Sequence, residues 1–164
     1  MKSAKTIAAL FAAALLLLPF AACRKVDRTV YSKYADIGPE GWNPAKPLVF
    51  FPEAADSAEA AGELFSVVLR IRYAENQPLA PLRLAYALDD NLGTQAKGDT
   101  VALPLFSPVG KPIAPGAHGV HELADTIASG VRLKPGLCVI LTSLTPRERT
   151  QGISEIGISL VEQQ

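Results

Sequence analysis

Two cysteines in 164 residues are too few for a disulfide framework, so any fold has to be held by its own apolar core. Charge of one sign is missing as well. The 16 Lys and Arg residues balance 16 Asp and Glu, which leaves no basic field for nucleic acid. No apolar run reaches the roughly 20 residues that a membrane-crossing helix requires. There is no Walker loop, dinucleotide fingerprint or nucleophile elbow, so the familiar phosphate-binding and serine-hydrolase chemistries have no foothold. Thirteen prolines spread along the chain exclude a helical bundle.

What is present begins at the N-terminus. Lys2 and Lys5 form a short positive region, Ile7 to Phe20 is almost wholly Ala, Leu, Ile and Phe, and Phe20-Ala21-Ala22-Cys23 follows. The run has the length of a signal-peptide core, and Pro19 breaks it just before two small residues that fit a signal peptidase pocket. The pattern predicts a cleaved lipoprotein signal peptide over 1–22 and acylation of Cys23. The plain alternative is a secretory signal that happens to stop at a cysteine. Stable anchoring takes more than one acyl chain, and a tri-acylated Cys23 would exceed that requirement. Arg24 follows instead of the Asp that marks inner-membrane retention in some bacteria, so the expected address is the outer membrane, its periplasmic face favoured over the cell surface.

Residues 23–164, about 140 in all, suffice for one domain. Lys2 and Lys5 fall within the leader, so this part carries 14 basic against 16 acidic side chains, two fewer than the 16 of the whole chain. Cys138 sits in Leu137-Cys138-Val139-Ile140-Leu141 and reads as a small buried hydrophobe, since no base is near it in sequence to activate a thiol.

The segment 23–46 reads as a lipidated tether and arm, with Tyr31, Tyr34, Ile37 and Trp42 spaced among polar and turn residues. Strand character follows over 48–51, 63–73, 82–88, 99–106, 131–133, 137–144 and 156–162. Seven short strands separated by turns predict an all-β, immunoglobulin-like antiparallel β-sandwich over 47–164. The clearest alternation is Phe65, Val67, Leu69, Ile71 and Tyr73 against Ser66, Val68, Arg70 and Arg72. Leu82, Leu84, Tyr86 and Leu88 repeat it, and Asn76-Gln77-Pro78 with Pro81 suggests a bend between two antiparallel neighbours. The Ala- and Glu-rich stretch 53–63 and the stretch 120–128 are ambiguous between helix and other structure.

Ser107 to Gly119 is too rich in Pro and Gly for ladder pairing and reads as a long surface connection, either a binding loop or a plain linker. His118 and His121, with Glu122 and Asp125, form the one grouping that suggests metal chemistry. Zinc hydrolases place two histidines at i and i+4 with a Glu between, whereas here the spacing is three and the Glu lies after the pair. The competing reading is a pair of histidines beside a turn, with no metal bound. The Asp89-Asp90 pair precedes Asn91-Leu92-Gly93 and reads as turn chemistry, not as a glycosidase acid pair. Trp42, Tyr31 and Tyr34 could form a sugar platform or be buried as staples. The chain is therefore read as non-enzymatic, with no cofactor and no small-molecule substrate.

At Cys23, Val30-Tyr31 with Tyr34 and Ile37, Gly41-Trp42-Asn43, and Leu69 to Tyr73 with the prolines and Leu82 after it, the chain resembles the gliding-motility-associated lipoprotein family GldH of Bacteroidetes-type bacteria. The likeness continues through Gly110-Lys111 and Gly130-Val131-Arg132-Leu133, and closes with Gly152-Ile153-Ser154-Glu155-Ile156-Gly157-Ile158. It departs in the Pro-rich loop and in the Ala-rich stretch 54–61. The resemblance implies a lipid-anchored envelope protein with no known active site, and Cys23 is the one residue whose role it carries over. The expected function is that of an accessory component of the cell envelope, with the gliding machinery as the assembly the resemblance suggests, held to the membrane at Cys23 and working through envelope protein partners. A lipid-anchored glycan- or peptidoglycan-binding module is the alternative.

Overall fold

The computed structural model describes residues 28–52, 63–77, 80–89 and 97–163. Residues 1–22, expected to be a signal peptide, Cys23 and the Ala-rich stretch 54–61 lie outside the described residues, as do Asp90 and Asn91 to Gly93. Nine antiparallel strands make two sheets. They are β1 (Thr29–Asp36), β2 (Leu48–Phe50), β3 (Leu64–Ala74), β4 (Leu82–Asp89), β5 (Lys97–Leu103), β6 (Gly116–Ala117), β7 (Val120–Arg132), β8 (Cys138–Ser143) and β9 (Ile153–Glu162). The larger sheet runs β1-β9-β3-β7-β6 and the smaller β2-β8-β4-β5.

The alternation along β3 decides the architecture. Phe65, Val67, Leu69, Ile71 and Tyr73 are all buried, while Ser66, Val68, Arg70 and Arg72 face outward. With side chains alternating at period two, one face of the strand is core and the other is surface. β3 pairs with β7 on one side and β9 on the other. The inward residues of β9, Ile156, Ile158 and Leu160, extend the apolar face, and Leu82, Leu84, Val139 and Leu141 close it from the smaller sheet. The result is an all-β sandwich with one core between two layers.

Two strands appear beyond the seven expected. β1 pairs along β9 from Tyr31–Leu160 to Asp36–Glu155, so the segment read as an arm supplies an edge strand of the larger sheet from Thr29 onward. β6 is a two-residue strand paired to the start of β7. It lies inside the Pro- and Gly-rich connection thought unable to pair, because the hairpin needs only Gly116 and Ala117 on that side. The ambiguous stretch 120–128 and the short strand at 131–133 merge into the single 13-residue strand β7. β3 and β4 are not sheet neighbours: β3 belongs to the larger sheet and β4 pairs with β5 and β8, so the bend around Pro81 crosses between layers.

β7 is twice bulged. Its register against β3 slips between Val68–Thr126 and Val67–Ala128, where Ile127 is the extra residue, and again before Phe65–Val131. Ile127 turns into the core at 8% exposure, and Gly130 takes φ 70°, a left-handed conformation that suits glycine.

The end of the sandwich beyond Asp36 is plugged by Trp42. Its backbone N–H donates to Thr150 Oγ1 at 2.8 Å and its indole N–H to the Lys46 carbonyl at 3.0 Å. Gly41 cannot be another residue here. It has φ 79°, and a Cβ would lie 2.8 Å from both the Arg147 carbonyl and Thr150 Oγ1.

Candidate functional site

Three surfaces of the described residues carry the side chains that could act. The first is the outward face of the larger sheet. Arg70 and Arg72 stand two apart on β3, so both project from the same side, and Glu122 pairs opposite Arg72 on β7. Arg70 Nη1 donates to Glu122 Oε1 at 2.8 Å and Arg72 Nε to Glu122 Oε2 at 2.7 Å. Arg72 Nη1 reaches Glu155 Oε2 on β9 at 2.6 Å, and Arg70 Nε donates to Ser159 Oγ at 2.7 Å. From β1, the Tyr34 hydroxyl donates to Glu122 Oε2 at 3.2 Å and its ring lies 4.1 Å beneath the Arg72 guanidinium carbon. One network thus ties four adjacent strands together.

Its electrostatics are closed. Two guanidinium groups meet two carboxylates, and burial alone would raise the Glu122 carboxyl, but hydrogen bonds from Arg72, Arg70 and Tyr34 outweigh it and hold the group below the usual range. Burial and the Glu122 charge push the Tyr34 phenol up. Hydrogen bonds to Glu122 and Glu155 keep Arg72 firmly protonated. A carboxylate held this way is a poor base. The arrangement staples a sheet.

The second surface is the connection between β5 and β6. The Tyr73 hydroxyl, buried at the end of β3, donates to the Leu105 carbonyl at 2.9 Å and accepts from the Ala114 N–H at 3.3 Å. Phe106 packs edge-on against the Tyr73 ring, with centroids 5.3 Å apart. Above that base the Ser107 N–H donates to the Lys111 carbonyl at 2.8 Å, and the Gly110 N–H to the Ser107 carbonyl at 2.9 Å, which closes a tight turn. Val109 caps this turn at 79% exposure, and Ile113 and Val120 are exposed beside it. The connection is therefore neither a slack linker nor wholly unpaired. It is a buttressed projection with an apolar tip.

The histidines belong to its base. His118 and Gly119 have φ 53° and 80°, the two left-handed positions of a type I′ hairpin turn between β6 and β7, and His118 points to solvent. The His121 ring leans on Tyr73 at 5.8 Å; its Nδ1 donates to the Ala114 carbonyl at 2.8 Å and its Nε2 lies 3.3 Å from Glu75 Oε2. Glu122, the next residue, sits on the opposite face of β7, engaged by the arginines. Asp125 pairs beside Leu69, so it belongs to the inward-facing row of β7. The structure does not bring His118, His121, Glu122 and Asp125 to one point. Among the described residues no group of three His, Cys, Asp or Glu side chains could hold a metal ion.

The aromatic platform is likewise not assembled. Trp42 is 3% exposed, Tyr34 lies under Arg72, and Tyr31 is half-buried against the core. Of the two readings weighed for these residues, the staple is the one the structure carries for Trp42. Cys138 is buried where the smaller sheet begins, and burial together with the Asp89 charge pushes its thiol up, which makes it inert.

The third surface is the outward face of the smaller sheet, where Val49 and Phe51 of the β2 edge and Leu144 just past β8 are exposed. Neither apolar surface has a sequence signature of its own. Val109 and Phe51 become conspicuous only once the fold shows that they have no core to join.

No family model, no curated protein and no solved structure matches this chain.

Proposed function

We propose that the protein is a lipid-anchored accessory component of the cell envelope that works by docking to protein partners and performs no chemistry of its own. The observation that carries this reading is the projection between Leu105 and Val120. A loop held by Tyr73, Phe106 and His121 yet presenting Val109, Ile113 and Val120 to solvent has the ordering of its backbone already met within the fold. Such pre-organisation favours binding, because an interface formed there needs little further entropy loss. An exposed apolar tip on a rigid support is what a protein contact uses. The polar face of the larger sheet supports the same reading by default, since its charges are already spent on one another.

Membrane attachment rests on Phe20-Ala21-Ala22-Cys23, and outer-membrane delivery on Arg24 after it. The gliding machinery is one envelope assembly that the family resemblance suggests as the partner.

The test is in-cell crosslinking followed by purification and mass spectrometry, comparing the parent chain with Val109→Asp and Cys23→Ala. A defined set of envelope proteins that is lost with either change supports the reading. Partners captured equally by all three chains, or peptidoglycan without reproducible protein partners, would overturn it.

A further inference from the structure

One cavity of the fold takes no part in the surfaces above. It is a cleft of about 600 Å³ at one end of the sandwich, where the bulged part of β7 stands off from β4 and β5. Leu88, Ile127 and Val131 form its apolar wall, and all three are core or core-packed residues that keep part of their surface toward the cleft. Lys97, Arg132 and Lys134 rim it, with Asp99 as the acidic group among them. Asp99 is partly engaged already, its Oδ1 accepting the Thr100 N–H at 2.7 Å. The lining thus carries three basic side chains and one acidic one beside an apolar wall.

The placement of the cleft matters as much as its lining. Thr29 pairs with Val161, Phe65 with Glu162 and with Val131, and Leu64 with Arg132, so the start of β1 lies at the same end of the larger sheet as the cleft. The stretch from Cys23 to Thr29 can extend no more than about 20 Å at roughly 3.4 Å per residue. If Cys23 is anchored, this end of the molecule is held within that distance of the bilayer.

We propose that the cleft binds an anionic membrane lipid, the acyl carbons against Leu88, Ile127 and Val131 and the phosphate headgroup between Lys97 and Arg132. The chemistry matches on both counts. Cationic side chains are drawn to an anionic membrane surface, and an apolar wall gains from each buried methylene. Tyr86 borders the same space, and burial with the nearby Asp99 charge keeps its phenol protonated, hence able to donate to a headgroup oxygen. Both bulges fall where β7 lines the cleft: Ile127 is the extra residue at one, and Ser129 and Gly130 together oppose Ser66 at the other. The proposal rests on the anchor at Cys23 for its geometry.

The test uses the full lipidated chain in nanodiscs of phosphatidylcholine doped with phosphatidylglycerol that carries a diazirine near the end of one acyl chain. After irradiation and digestion, adducts are expected in the peptides carrying Leu88 and Ile127–Arg132. The double variant Lys97→Glu with Arg132→Glu alters two exposed side chains and should cut that labelling by at least about tenfold. Placing the diazirine on phosphatidylcholine should lower it, while millimolar inorganic phosphate should leave most of it in place. Labelling confined to the vicinity of Cys23, or unchanged in the double variant, would overturn the proposal; labelling abolished by phosphate alone would mark a simple anion site and overturn it too. The mass of the N-terminal peptide reads acylation of Cys23 separately. If that mass is absent the anchor fails, and the cleft is then judged with vesicles of the same lipids in excess, where adducts at Ile127–Arg132 uphold it and their absence overturns it.

Discussion

The Tyr34 ring lies flat across Gly157 on the neighbouring strand: a Cβ at Gly157 would sit 2.7 Å from Tyr34 Cδ1 and 2.6 Å from the Lys33 carbonyl. A cross-strand aromatic covering a glycine in this way shields backbone that would otherwise be open to water. Here it also supplies the surface on which the Arg72 guanidinium rests. Gly157→Ala should therefore destabilise the fold by about 1–3 kcal/mol through overpacking. Urea unfolding followed by Trp42 fluorescence checks it. On a Tyr34→Ala background the added cost of Gly157→Ala should shrink only in part, because the Lys33 carbonyl is backbone and cannot step aside.

Glu122 gives stability a pH dependence of known sign. Its folded carboxyl titrates below the unfolded value of about 4.3, so it contributes stability above that value and loses the contribution as pH falls through the folded one. The parent protein should weaken below about pH 5. Glu122→Gln, which loses two charge-assisted hydrogen bonds, should cost about 1–2 kcal/mol at neutral pH and flatten the acid limb. Midpoints of urea unfolding measured from neutral to acid pH for both chains would show the two curves converging; parallel curves would contradict the assignment.

Tyr73 keys the β5–β6 connection. Removing its hydroxyl leaves the Ala114 N–H without its partner, while the Leu105 carbonyl keeps only the Ile113 N–H at 3.1 Å, so Tyr73→Phe should cost about 1–2 kcal/mol. Amide exchange should accelerate at Ala114, while the exposed Val109 tip should exchange rapidly in both chains.

Cys138 should resist alkylation in the folded protein even at mildly alkaline pH, because burial and Asp89 disfavour its thiolate. Iodoacetamide labelling read by mass should track unfolding in urea. Labelling in native buffer at the rate of a free thiol would show that the strand start opens on its own.

Much of the fold is legible in sequence where one face is wholly apolar. β3 alternates without a break from Phe65 to Tyr73, and its element, its buried set and its surface set all follow from that alone. β7 is not legible in the same way. Ile127 and the Ser129–Gly130 insertion shift the period twice, so a single strand reads as an ambiguous stretch followed by a short one. β1 is hidden for another reason: it is an edge strand whose partner, β9, lies more than a hundred residues away, and its polar residues suit a docked arm equally well. Which sheet a strand joins is also invisible to periodicity, so the bend at Pro81 suggests a hairpin when the chain in fact changes layers.

The same limit applies to the candidate sites. Arg70 and Arg72 are readable as outward-facing, but Glu122 and Glu155 meet them only through the register of three strands. His118 reads from sequence as a histidine beside a turn, with a metal ligand as the alternative; its φ of 53°, which sequence does not show, places it in the hairpin turn itself. Trp42 announces itself as an aromatic, yet its burial depends on Thr150, which closes over it from the far end of the chain.

The orientation of β1 has a mechanical consequence. A pull between Thr29 and the opposite end of the domain, where Tyr73 and the Val109 projection lie, runs along this strand, while the hydrogen bonds to β9 lie across that direction. Force then loads the ladder from Tyr31 to Asp36 in shear, all pairs together, instead of peeling them one at a time from an end. The strand that enters the domain from the N-terminal side is thus set to resist such a pull across its whole length.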